Sequence, residues 1–101
     1  MGRSKLPAEV IRVIETAEIR WTDHAFDESF AWEAGRTDVI AVARTADTWK
    51  RTHDERGEAV DGFVDAVTGR DLRGRRMYLA GKRIRYDEVE CWYVITFHKA
   101  D

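Results

Sequence analysis

Cysteine and proline occur once each in the 101 residues, and no apolar run approaches the length of a membrane span. A lone Cys91 cannot close an intramolecular disulfide, which fits a reducing compartment and makes the cytoplasm the expected location. Without an apolar span no membrane partner is expected. Met1-Gly2-Arg3-Ser4-Lys5 opens the chain without the apolar h-region of a secretory leader. Metal-ligand spacing is missing as well. His24, His53, Cys91 and His98 form neither a Cys-x-x-Cys nor a close histidine pair, so no metal site is expected. There is no Walker loop, no dinucleotide-binding glycine pattern and no nucleophile elbow, and no cofactor is expected. An excess of one charge is also lacking, since 17 Lys and Arg face 19 Asp and Glu for a net charge of −2.

The near-neutral sum hides an uneven distribution. Between Gly69 and Tyr86 lie Arg70, Arg73, Arg75, Arg76, Lys82, Arg83 and Arg85 against Asp71 alone, a local +6, so the remainder carries −8. A segment of this kind is the footprint of a phosphate-contacting surface. It also fits a solvated face paired with acidic elements of the same molecule.

The length allows one domain over residues 1–101, burying about two-thirds of the surface its unfolded chain exposes. Pro7 suits a helix start, and Val10, Ile11, Ile14 and Ala17 carry a helical period to about Glu18. Thr22 or Asp23 caps a second helix with Phe26, Phe30 and Ala34 in one stripe, and Gly35 is an αL terminator for it. Thr37 caps a third helix bearing Val39, Ile40, Val42 and Ala43. Thr48–Thr52 reads as an edge strand and His53–Gly57 as a turn. Val60, Phe63, Val64 and Val67 fall at i, i+3, i+4 and i+7, which predicts a short helix with Asp61 and Asp65 on one solvated face.

From Arg75 onward strand character dominates. Residues 76–80 and 83–86 flank Gly81-Lys82 as a tight turn, or run on as one bent strand. Asp87-Glu88 turns the chain into Val89–His98, a central strand with both faces largely apolar. The expected fold is therefore α+β, with N-terminal short helices packed on one face of a C-terminal antiparallel sheet of about four strands. Strand alternation then puts Cys91, Tyr93, Ile95 and Phe97 toward the helices. It leaves Arg76, Tyr78, Arg83, Arg85, Trp92 and His98 on the open face.

Cations and aromatics on one sheet face suit single-stranded RNA, because arginines meet phosphates and rings stack on unpaired bases. RNA also carries its own nucleophile, so cleavage without metal needs a base, a cationic clamp and an acid. His98 is the candidate base or acid, Arg83 and Arg85 the clamp, and Tyr78 or Tyr86 a stacking or proton-donating group. Arg76, Lys82 and Trp92 are candidate RNA contacts. The same arginines equally fit a face that only solubilises the sheet. His24, in the first turn of the second helix, is expected to be neutral and hydrogen-bonded, in a packing, capping or catalytic role.

One resemblance stands out. Ile19-Arg-Trp-Thr-Asp-His24-Ala25-Phe-Asp27-Glu28, then Gly35-Arg-Thr37-Asp38-Val39 and Ala43, and the closing Tyr93-Val-Ile-Thr-Phe97, resemble the pattern of the domain-of-unknown-function 4258 family. That family is grouped with small ribonuclease toxins of the RelE, barnase and colicin superfold. The resemblance implies N-terminal helices against a C-terminal sheet with RNA chemistry on the sheet, and it makes His24 the motif histidine and His98 a functional residue after the closing strand. It implies a metal-independent endoribonuclease toxin, with RNA and a cognate antitoxin or immunity protein as partners. A non-catalytic binding module, itself antitoxin- or immunity-like or an RNA-binding accessory protein, is the alternative; its acidic remainder would dock a basic toxin.

Overall fold

The computed structural model describes residues 3–100, so Met1 and Gly2 of the opening stretch lie outside the described residues. The order of elements is α1 (Ala8–Thr16), β1 (Glu18–Trp21), α2 (Asp23–Ala31), α3 (Arg36–Arg44), β2 (Thr48–His53), β3 (Phe63–Arg70), β4 (Arg76–Tyr86) and β5 (Val89–Lys99). The fold is α+β, as expected, with three helices packed on a five-stranded sheet of order β1-β5-β4-β3-β2. Neighbouring strands are antiparallel except at one edge, where the short β1 runs parallel to β5.

Local chemistry accounts for the helical half. Thr22 caps α2 by accepting the Ala25 N–H, and its own hydroxyl donates to the Ile95 carbonyl, which ties the helix start to β5. Gly35 does not end α2. Glu33 takes the left-handed conformation, and Gly35 is extended and caps α3, its N–H donating to Asp38. The core joins Val10 and Ile14 of α1, Val39 and Val42 of α3, and Leu79, Trp92 and Phe97 of the sheet.

Two expectations in the middle of the chain fail. Residues 60–67 do not form a helix: β3 occupies 63–70, pairing with β2 and β4. Asp65, assigned to a solvated face, is buried and accepts bonds from Trp49 Nε1 and Arg51 Nε at 2.8 Å each. Gly81-Lys82 is not a turn; the alternative holds, and β4 runs through it as one strand. Gly81 is required for packing, since a Cβ there would stand 2.7 Å from the indole of Trp92. The turn expected at Asp87-Glu88 is present, both residues having positive φ, the arrangement of a two-residue hairpin that matches strand twist.

Candidate nucleic-acid interface on the open sheet face

The helices cover one face of the sheet and leave the other open. Since β4 is uninterrupted, its side chains alternate without a break. Leu79 and Gly81 lie on the helix side with Arg83 and Arg85, while Arg76, Tyr78, Lys82, Ile84 and Tyr86 lie on the open side. β5 holds an extra residue near Ile95, where the register shifts between Ala80 and Gly81 of β4. That bulge reverses its alternation, so Trp92 and Val94 face the helices together with Phe97. Three open-face assignments are thereby corrected. Arg83 and Arg85 lie on the helix side, and Trp92 is a core residue only 1% exposed. Tyr93, assigned to the helices, lies on the open face instead, across from Lys82 and Arg20.

Arg76, Tyr78 and His98 fall on the open face as expected. Tyr78 and His98 are register partners whose rings stack at 5.1 Å and 20°. His98 Nδ1 is 2.9 Å from the Lys99 carbonyl. A carbonyl only accepts, so Nδ1 is the donor in this bond and Nε2 is the ring nitrogen not engaged by it. At the other end of the face the Arg20 guanidinium lies 4.2 Å over the Tyr86 ring. From Tyr86 to Arg76 this row spans the 11 residues of β4, about 33 Å at strand rise.

Lys82 is on the open side yet is only 2% exposed. The loop between β2 and β3 folds over it, the Val60 N–H bonding to the Arg83 carbonyl on the edge of β4. Lys82 Nζ reaches Asp54 at 3.2 and 3.3 Å and Glu58 Oε1 at 2.6 Å. Asp54 also accepts the N–H groups of Arg56, Glu58 and Ala59. Burial opposes the Asp54 charge. The Ala59 N–H, the Lys82 ammonium and the Glu58 and Arg56 N–H groups outweigh it, holding the carboxyl at about 2. Burial likewise disfavours the Lys82 ammonium, but Glu58 and Asp54 overcome it and raise its pKa.

Glu58 also borders a groove of about 550 Å³ that takes in Arg20, Phe26, Ile84, Tyr86 and Tyr93. A smaller chamber of about 180 Å³ adjoins it and shares Glu58 and Tyr93. Arg20, Arg56, Glu58 and Tyr93 were not among the residues picked from the sequence. Arg20 had a signal, standing in the motif stretch between Ile19 and Trp21, whereas Arg56 and Glu58 lie in a turn with no periodicity to mark them.

His24 is largely exposed on α2, with Nε2 3.0 Å from Glu28 Oε1. No hydrogen bond or ion pair among the described residues joins His24 to His98. The basic segment is mostly neutralised within the molecule. Five of its seven cations are paired: Arg73 with Glu33, Arg75 with Asp71, Arg76 with Asp47, Lys82 with Asp54 and Glu58, and Arg83 with Glu90. Arg85 bonds to the Glu88 carbonyl. Among the described residues no group of three or more His, Cys, Asp or Glu side chains is placed to hold a metal ion. No helix among them is long and apolar enough to cross a membrane. No protein-family model, curated protein or solved structure matches the chain.

Proposed function

We propose that this chain is a metal-independent endoribonuclease of the toxin type, which holds single-stranded RNA along its open sheet face. The observation that carries the reading is the row running from Arg20 over Tyr86, past Tyr93, to the Tyr78–His98 stack and Arg76. Rings spaced along a strand are platforms for unpaired bases, and the cations at the two ends of the row meet the backbone. His98 Nε2, held in place by the Tyr78 stack and the Lys99 carbonyl, is the proton-transfer group. His24, the motif histidine of the resemblance to the domain-of-unknown-function 4258 family, stands two residues beyond Thr22, which lines the chamber. A cognate antitoxin or immunity protein would cover this face, and the site of action is the cytoplasm.

The test is expression without a partner, followed by incubation of the purified protein with single-stranded RNA in EDTA. Growth arrest and cleavage are expected, with about 100-fold loss of rate in His98→Ala. Arg85→Ala, on the opposite face, is the control and should keep wild-type activity. A wild-type chain that accumulates harmlessly and leaves every RNA intact overturns the reading.

The internal pairing of five of the seven cations favours a second reading, a non-catalytic binding module. It predicts a tight complex with a partner protein and no cleavage of any RNA.

A further inference from the structure

The small chamber has a more specific chemistry than the row around it. Thr22, Arg56, Glu58, Lys82, Tyr93 and Ile95 line it, so two of its six residues are cationic and Tyr93 brings a phenol. The Arg56 backbone N–H is spent on Asp54, while its guanidinium has no hydrogen bond or ion pair among the described residues. The Thr22 hydroxyl is already committed to the Ile95 carbonyl.

The two carboxylates near Lys82 are not equivalent. Asp54 is buried and fully engaged by three backbone N–H groups and the ammonium. It neutralises Lys82 one to one and closes the loop. The Glu58 side chain is 51% exposed, lines both cavities, and has Lys82 as its ion-pair partner. One buried ammonium therefore faces a permanent counter-ion on its inner side and an exchangeable one on the side of the chamber.

We propose that this chamber is a phosphoryl-binding subsite. An anion entering it takes the Arg56 guanidinium and the Tyr93 hydroxyl as donors and competes with Glu58 for the ammonium of Lys82. Charge-assisted bonds of this type are the strong ones, and guanidinium matches phosphate oxygens in pairs. Inorganic phosphate and a backbone phosphate share this chemistry. Assigning the site to RNA rests on the ribonuclease reading above.

The experiment is a titration of the ¹⁵N-labelled protein with inorganic phosphate at neutral pH, with ionic strength held constant by sodium chloride. Saturable shifts are expected at the amides of Arg56, Glu58 and Tyr93. Arg56→Ala should weaken the apparent affinity about tenfold. Glu58→Gln should tighten it, because the competing charge is gone; a carboxylate that merely closed the loop would not have that sign. Shifts missing from these amides at tens of millimolar phosphate, or unchanged by both variants, overturn the proposal.

A short RNA oligonucleotide forms the second arm. If it shifts the same amides and competes with phosphate, the ligand is a backbone phosphate; if phosphate alone binds, the subsite takes the free ion. Phosphate binding without RNA cleavage would defeat the ribonuclease reading and leave the subsite standing. Cleavage without phosphate shifts would do the reverse.

Discussion

The two faces of the sheet are built on different principles. On the helix side Leu79, Trp92, Val94 and Phe97 meet Val10, Ile14, Val39 and Val42, and shape decides what fits. On the open side an ammonium enclosed by a loop, a guanidinium on a ring and a stacked Tyr–His pair hold the groups in place. A buried ion pair stabilises a fold no better than apolar groups of the same size. The buried Lys82 ammonium is therefore explained better by the chamber it lines than by stability. One face is held by packing; on the other the buried Lys82–Asp54 pair closes the loop, and the exposed groups around it can carry chemistry.

Substitutions on each face put that division to the test. The largest effect is expected from Trp92→Ala, which should cost about 3–5 kcal/mol in urea denaturation by opening a cavity in the core. Trp92→Phe keeps a ring and drops an indole N–H that has no partner, so it should cost far less. Next comes Lys82→Ala, which strands the Asp54 carboxylate in a buried site and should lower the melting temperature clearly. The double variant with Asp54→Ala should recover part of that loss, and additive losses would mean that the pair does not hold the loop.

Acid should expose the same pair. The folded-state pKa of Asp54, about 2, lies below its value in the unfolded chain, about 3.9. Its contribution is present in full above the higher value and is lost as pH falls from about 4 toward 2. Asp71, also held low against the effect of its burial by Arg75 and backbone N–H groups, adds a loss of the same sign. Stability curves for wild type and Asp54→Asn should converge over that interval, and parallel curves would contradict the assignment. The smallest effect is expected at the far end of the face. Arg20→Ala removes a half-exposed cation–π contact and should cost about 0.5–1 kcal/mol by the same denaturation measurement. A larger loss would show that the exposed end of this face contributes to the fold as the buried Lys82 pair does.

The sequence was most legible where one local cause decides the structure. Thr22 announces the start of α2, Val39, Val42 and Ala43 give α3 its buried stripe, and Asp87-Glu88 with the apolar run after it gives the hairpin and β5. β3 was misread because its valines imitate a helical period. Val67 packs in the core, and Val64 lies on the other face, where it is half-buried. The polar residue between them, Asp65, is also buried, because Trp49 and Arg51 satisfy it across the strand pair. Neither face of β3 therefore shows the polar alternation that marks a half-exposed strand. The site was half legible for a related reason. Residue types on β4 and β5 announced a cationic, aromatic face, but their facing turned on one extra residue near Ile95 and on Gly81 making room for Trp92. Both are tertiary facts, and a single inserted residue reverses every side chain beyond it.

The parallel pairing of β1 with β5 bears on when the protein can take shape. β1 occupies residues 18–21, and its partner begins at Val89, with β2, β3 and β4 lying between them in the chain. During synthesis the helices and β1 leave the ribosome first, but the sheet cannot close around them until residues near Lys99 have followed. Trp92, Val94 and Phe97, which seal the core, arrive on that same late strand. A chain interrupted before β5 would carry the Tyr78 half of the ring stack without His98, and Lys82 without Tyr93. The groups proposed to handle RNA would thus come together only once β5 had been made.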